Sequence, residues 1–347
     1  MRVFIPASED ATIYKRYPTQ NTGLDEILEL GKTILSTDED VMYASGSTRC
    51  LLNFDIPSSQ QYPTNSVYYL HLRIANANSV NRYQKIEVYP ISQSWIEGSG
   101  YFYQDVRNAE DGVTWLNRSQ YALWNLSGSD YVTTVSASYT ISKFPIEDVK
   151  INVTNIISPV VSGSNTIPWN GLLVKFPDAD ETSSVNYGNI KFFSSNTHTI
   201  FSPKIEVLYP QQTFITGSLK KITSSNISIL PKNLKQSYTL GEIDKIYLVV
   251  RDPFPDKRFD AVSRYKTQYY LPSSSYFRIK DQISNVVIYD FDQYSTINCD
   301  ISGSYILLDT SGFDVDRYYS LELKVQSGSL VFFPEFNYSF KIDSNAQ

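Results

Sequence analysis

The side chains best suited to chemistry are few: two histidines, His71 and His198, and two cysteines, Cys50 and Cys299. A hydrolytic dyad or a zinc site needs such groups to converge at set distances, which a sequence announces through motif-grade spacing. His71 falls inside the strand-like run Tyr68–Ile74 and His198 in a Thr-rich turn, and neither has such a neighbour. Both read as structural. The cysteines lie far apart and make no metal-type pair, so they read as two buried thiols outside any disulfide framework. Among carboxylates, Asp178, Asp180 and Glu181 cluster, as do Glu110 and Asp111. Oxygen ligands of this kind suit Ca²⁺, but neither cluster has EF-hand spacing, and both are expected to be solvated acidic loops. A glycosidase pair needs only two carboxylates, so their number alone decides nothing. There is no Gly-rich phosphate loop and no Gly-X-Ser-X-Gly elbow. The reading assigns no catalytic residue, no metal and no cofactor, and expects a protein that is not an enzyme.

Aromatic residues are the more suggestive group, with 27 Tyr and 18 Phe against two Met. Tyr pairs a large apolar body with a polar tip and suits half-buried strands and protein interfaces. Trp95, Tyr101, Tyr103 and Trp115 are the candidate contact residues. Arranged as a platform they would stack sugar rings. The expected arrangement is different: the tryptophans fill a core, and the tyrosines, flanked by Gly98 and Gly100, meet a neighbouring subunit.

The elements that must position these residues are strands. A central one runs from Thr48 to Ile56, with apolar residues on both faces, as in a strand covered on each side. Before it come Val3–Ile5, Ala11–Tyr14 and Ile27–Leu30, and after it Val67–Ile74 and Lys85–Ile91. Residues 92–143 form a long aromatic-rich excursion with short strands at Gly112–Trp115 and Tyr139–Ile141, the kind of loop that carries contacts. Glu147–Ile157 reads as a strand followed by one helical turn. Gly171–Phe176, Ile190–Phe193 and Pro203–Tyr209 complete a first unit, residues 1–210. Evenly spaced short strands through residues 211–347 suggest a second. The expected fold is all-β: two β-sandwich (jelly-roll or Ig-like) domains in tandem.

Net charge is −6 with a pI near 5.1, which argues against a broad phosphate-binding surface and hence against nucleic acid. The first residues lack the apolar run of a signal peptide, and no stretch approaches a membrane span. The product is therefore expected to be made in a cytoplasm and used without export or membrane attachment. The Asn-X-Ser/Thr triplets at Asn117, Asn125, Asn152, Asn226 and Asn337 are then incidental.

Residues 8–210 resemble the DNRLRE family, a β-sandwich related to carbohydrate-binding modules. The likeness rests on an ordered series of segments: Asp10–Tyr14 with Asn21–Gly23 and Leu28–Gly31, then Arg49–Ile56 in place of an R-x-L-L-x-F-D strand. Ser94–Gly98 and Gly112–Arg118 resemble the family's two tryptophan motifs. Asp148–Thr154, Asn170–Lys175, Phe192–Ser195 and Ser202–Lys204 complete the order. The extended opening Asn21–Leu30 is similar to versions found in tailed-phage virion proteins. The resemblance implies a non-enzymatic structural protein of a tail, neck ring, baseplate or fibre adaptor. Its partners would be other virion proteins and copies of itself in a symmetric ring or fibre. The alternative it leaves open is an adhesion module that contacts host glycans.

Overall fold

The computed structural model describes residues 1–34, 45–57, 62–78, 80, 83–102, 111–141, 148–163, 167–209, 212–254 and 269–344. The chain is almost wholly β, as its patterning implies, and helix among the described residues is confined to two short elements. No helix among them is long and apolar enough to cross a membrane. Two compact units form, one of residues Ile5–Val207 and the other of Met1–Phe4 with Leu208–Gln347.

In chain order the strands that build the first unit are β1 (Arg2–Tyr14), β2 (Ile27–Ile34), β3 (Ser45–Phe54), β4 (Val67–Leu72), β5 (Ile74–Asn78), β6 (Lys85–Pro90), β7 (Asn117–Ser119), β8 (Ala122–Leu123), β9 (Ala137–Thr140), β10 (Val149–Asn152), β11 (Leu172–Lys175), β12 (Gly188–Phe193) and β13 (Lys204–Leu208), with helices α1 (Thr154–Val161) and α2 (Asp178–Thr182). Eleven of them form one sheet in the order β10-β4-β13-β1-β3-β11-β6-β9, with β2, β12 and β5 branching from β3, while β7 and β8 pair separately. Where the sequence suggests two separate strands, β1 is continuous, with a register shift between Ala7 and Glu9. Such a bulge adds local twist without ending the ladder. Helix α1 extends past the single turn expected and buries Ile156, Ile157 and Val161.

β3 is the hub. It pairs with β1 through Thr48–Phe54, with β2 through Ser45–Thr48 and with β11 through Cys50–Leu52. Strands such as β4 and β12 alternate buried and half-exposed positions, as one-sided burial requires. In β3 and β11, by contrast, Cys50, Leu51, Leu52 and all of Leu172–Lys175 are buried. The reason lies in residues 92–143, the segment expected as a surface excursion. Their described part folds back as a cover, placing Trp95, Val113, Trp115 and Trp124 against Ala11, Ile13, Leu51 and Leu173. Its strands are β7, β8 and β9 in place of Gly112–Trp115, because Val113 and Trp115 serve that second core as loop residues.

Gly171 sets the geometry where β11 begins. Its φ is +95°, and a Cβ there would lie 2.3 Å from the Leu52 carbonyl oxygen. Only glycine avoids both the left-handed penalty and the clash. Gly171→Ala is expected to cost about 2 kcal/mol of unfolding free energy, measurable by chemical denaturation. A wild-type midpoint in that variant would show that the β3–β11 approach is not tight.

The second unit packs two six-stranded sheets, one centred on Ile243–Arg251 and Gly303–Asp309, the other on Arg317–Ser327 between Tyr276–Asp281 and Tyr338–Asp343. Ile246, Leu248, Val250, Ile306 and Leu308 from the first share one core with Phe277, Ile279, Leu321, Leu323, Phe340 and Ile342 from the second. Phe4 joins that core, its ring tilted against Tyr289 with centroids 5.9 Å apart. Ser237–Thr239, Asn298–Asp300 and Leu330–Phe332 are strands that the sequence does not announce, being too short to show a period.

Candidate functional site

A cleft of about 240 Å³ opens in the first unit where three chain segments meet. The end of β3 supplies Asn53 and Phe54, followed by Asp55 and Ile56. The segment after β6 supplies Ser94 and Trp95, and the turn before β11 supplies Trp169 and Asn170. The walls are held by main-chain acceptors. Trp169 Nε1 donates to the Phe54 carbonyl at 2.9 Å, and Trp95 Nε1 donates to the Asn170 carbonyl at 2.9 Å. Asn170 Nδ2 donates to the Ile91 carbonyl at 3.3 Å, and Ile91 N–H donates to the Gly171 carbonyl at 3.0 Å. Asn53 is also committed, with Nδ2 donating to Glu9 Oε2 at 3.0 Å and Oδ1 accepting from Phe54 N–H. With both indole N–H groups occupied, Trp169 and Trp95 offer the cleft carbon surface and no donor. The exposed carboxylate of Asp55 carries no hydrogen bond or ion pair among the described residues. Arg118 Nη1 sits at the Ser94 side, donating to its carbonyl at 3.0 Å and its hydroxyl at 3.3 Å.

The residues singled out from sequence do not assemble a platform. Trp95 and Trp115 are each 7 % exposed, so neither has a free ring face for a sugar, and Trp95 reaches the cleft only as part of its wall. Tyr101 is 38 % exposed, and its carbonyl accepts from Gln20 Nε2 at 3.1 Å. Tyr103 and Glu110 lie outside the described residues. His71 Nε2 is 2.9 Å from Glu206 Oε2, which also pairs with Lys150 at 2.5 Å. His198 is 3.7 Å from Glu26 on the surface. Cys50 and Cys299 are buried free thiols, Cys299 Sγ donates to the Asp300 carbonyl at 3.6 Å, and burial pushes both thiols up in pKa.

The Asp178–Glu181 cluster is a correction: it is the helix α2, not a solvated loop. Lys175, wholly buried, pairs with Asp178, while Asp180 accepts from Gln84 Nε2 at 2.8 Å. Glu181 is buried and takes Arg49 in a forked pair, Nε to Oε1 at 3.0 Å and Nη2 to Oε2 at 2.5 Å. Arg49 also donates to the Gly128 carbonyl at 2.6 Å and lies 4.9 Å from the Trp115 ring. These carboxylates are spent on holding β3, α2 and the tryptophan cover together. No group of three or more His, Cys, Asp or Glu among the described residues is placed to hold a metal ion.

A second buried constellation surrounds the turn that carries Asn21. Its Nδ2 donates to the carbonyls of Glu97 and Val113 at 2.7 and 2.8 Å, and its Oδ1 accepts from Gly100 N–H at 2.7 Å. Beside it Asp10 N–H donates to Glu97 Oε1 at 2.8 Å, and Asp10 Oδ2 accepts from Ser195 N–H at 2.6 Å. Asp10 is 1 % exposed. Burial first, and the nearby Glu97 carboxylate in addition, push its pKa up to about 8 against the hydrogen bond from Ser195.

The residue that sequence reasoning missed is Trp169. The reading begins its strand motif at Asn170, one position too late. The signal available was Pro-Trp-Asn-Gly, a turn tetrapeptide that holds a large aromatic at a bend.

No family model matches the chain, and no curated protein matches it. The DNRLRE likeness therefore rests on the ordered segments alone. Solved structures overlap it at low similarity. A Parabacteroides merdae β-glucuronidase aligns with 99 % of this chain and 36 % of its own, at 9 % identity and a TM-score of 0.20. A DUF4785 family protein from Legionella pneumophila aligns with 99 % and 64 %, at 8 % identity and a TM-score of 0.20. The tripod from the baseplate of bacteriophage Tuc2009 aligns with 100 % and 98 %, at 8 % identity and a TM-score of 0.17. The chain spans about a third of the glucuronidase's length. Similarity at this level assigns neither fold family nor activity.

Proposed function

We propose that this protein is a non-enzymatic structural component of a tailed-phage virion, acting through protein–protein contacts in the tail, neck ring, baseplate or a fibre adaptor. The observation that carries the reading is a stiffly mounted apolar display on the tryptophan cover. Tyr121, Leu123 and Leu126 are 90 %, 68 % and 72 % exposed, while Trp124 between them is buried. Trp124 Nε1 donates to the Thr114 carbonyl at 3.1 Å, and its N–H donates to the Leu116 carbonyl at 3.0 Å. Asp130 caps the following turn by accepting from the N–H groups of Asn125 and Leu126 at 2.7 and 2.8 Å. Large apolar side chains grouped on a soluble surface mark interaction sites, and a pre-ordered segment loses little entropy on docking. The ordered DNRLRE-like segments, in their virion-type version, support the same reading.

Two measurements test it. Mass spectrometry of purified particles, with labelling by an antibody to this chain, is expected to place it on the tail; its absence from particles would sink the proposal. The triple change Tyr121→Ser, Leu123→Ser and Leu126→Ser is expected to leave stability within about 1 kcal/mol, as surface changes do. It should also abolish incorporation into particles. Normal incorporation would move the contact surface elsewhere.

A further inference from the structure

We infer that the cleft between Asp55, Ser94 and Trp169 receives the guanidinium of an arginine presented by a different protein chain, and so docks a basic segment of a partner. The inference rests on the reading of this chain as a protein-contact component, and it concerns the cleft rather than the Tyr121 segment. What the cleft leaves open is chiefly acceptor and carbon surface. Both indole N–H groups are spent, Trp169 on the Phe54 carbonyl and Trp95 on the Asn170 carbonyl. The amides of Asn53 and Asn170 each donate elsewhere, to Glu9 and to the Ile91 carbonyl. Open among the described residues are the Asp55 carboxylate and Oδ1 of Asn170. The occupant that completes such a site is a donor with a flat face to lay on an indole.

Charge narrows the choice of donor. Asp55 is exposed and unpaired, and Glu9, whose Oε2 accepts from Asn53 of the lining, has no cationic partner among the described residues. Glu97 lies close enough to Glu9 for the two charges to interact. Arg118 is turned to the carbonyl and hydroxyl of Ser94 and makes no ion pair with Asp55. The cleft is thus an acidic spot that attracts a cation. A guanidinium is planar, stacks on an aromatic face and forks onto a carboxylate, whereas an ammonium is a point charge. This molecule already contains the completed arrangement: Arg49 forks onto Glu181 while lying 4.9 Å from the Trp115 ring. The cleft offers an indole and a carboxylate without the arginine. At about 240 Å³ it lies below the range that holds drug-sized ligands and suits one long side chain. Trp169 is pinned to β3, so its face costs little ordering entropy on docking. A second copy would bring a net charge of −6 towards this acidic spot, so the charge selects a basic segment of another chain.

The test is fluorine NMR of the full chain labelled with fluorotryptophan, the Trp169 resonance being assigned from Trp169→Phe. Capped short peptides are titrated that carry a central arginine, lysine or citrulline between glycines and serines, citrulline being an uncharged isostere of arginine. The arginine peptide is expected to shift the Trp169 resonance saturably and to leave the buried Trp115 and Trp124 unmoved. The lysine peptide should bind several-fold more weakly, and the citrulline peptide weaker by about tenfold. Asp55→Asn, a change at an exposed position, should weaken the arginine peptide by about tenfold. The inference is overturned by no saturable shift with the arginine peptide, by equal binding of the lysine or citrulline peptide, or by unchanged affinity in Asp55→Asn. Sedimentation of the chain alone is expected to be the same for wild type and Asp55→Asn. Self-association that this substitution removes would assign the arginine to a second copy and overturn the inference as well. The peptides need no particle. An arginine-specific shift from a chain that is absent from particles sinks the virion reading alone, and a silent cleft in a chain found on the tail sinks this inference alone.

Discussion

Arg49→Ala is expected to lower the unfolding free energy by about 3–5 kcal/mol, the cost of leaving one member of a buried ion pair uncompensated. The geometry makes the estimate specific. Glu181 would lose both arms of its forked partner and keep Lys175, 3.8 Å away and already committed to Asp178, together with the charge of Lys32 nearby. The Gly128 carbonyl would lose its donor and Trp115 its guanidinium neighbour. The effect should therefore reach the tryptophan cover: near-ultraviolet circular dichroism of the native variant is expected to change along with the denaturation midpoint. The double variant Arg49→Met with Glu181→Met should recover most of the loss, because apolar replacement of both partners removes the desolvation cost together with the attraction. A single variant that unfolds within about 1 kcal/mol of wild type, the margin exposed pairs are worth, would show that the pair is not buried as described.

Asp10→Asn is expected to act in the opposite direction and to depend on pH. With a folded pKa of about 8 against 3.8 for the free side chain, Asp10 is protonated in the native state over a range where the unfolded chain has already lost the proton. Its contribution is most favourable below pH 3.8 and is lost as pH rises through about 8, since the native state binds the extra proton throughout that window. Asparagine keeps an acceptor for Ser195 N–H and carries no charge, so it imitates the protonated acid. The variant should be more stable than wild type by about 5 kcal/mol near pH 8 and by less than about 1 kcal/mol near pH 4. Urea denaturation at the two pH values measures the difference. A constant difference across that range would show that Asp10 ionises normally.

Much of the β framework was legible because one-sided burial writes itself as alternation, and β4, β6 and β12 show it directly. The hub β3 was legible for another reason: Arg49 through Phe54 packs apolar residues onto both faces, a pattern that only double coverage explains. What covers its second face was not legible. Trp95, Val113, Trp115 and Trp124 sit in loops, where no period exists, and their common target on β1, β3 and β11 is set by long-range packing. The same holds for Asn21–Gly23 and Trp95–Gly98. Each reads as a turn alone, yet Asn21 bonds the Glu97 carbonyl, and a Cβ on Gly23 would lie 2.4 Å from that same oxygen. The acidic run at Asp178–Glu181 misled because charge density suggests solvent, whereas its partners Lys175 and Arg49 lie on separate strands. The cleft was missed because Trp169 has no aromatic neighbour in sequence and gains its meaning only beside Asp55 and Ser94.

The grouping of Met1–Phe4 with Leu208–Gln347 has a consequence for the order of events on the ribosome. Phe4 packs in a core whose other members emerge some two hundred residues later, and Gly312 leaves room for it: a Cβ there would lie 2.1 Å from Phe4 Cβ. Phe4 must therefore wait, without its core, until residues between Ile222 and Ile342 have been made. Segments 5–207 can collapse first, on contacts already synthesised, and the second core can close only after Ile342 has been made. A fragment that starts at Leu208 would carry a hole where that ring belongs, and supplying residues 1–4 as a linked extension at its far end is a direct way to refill it.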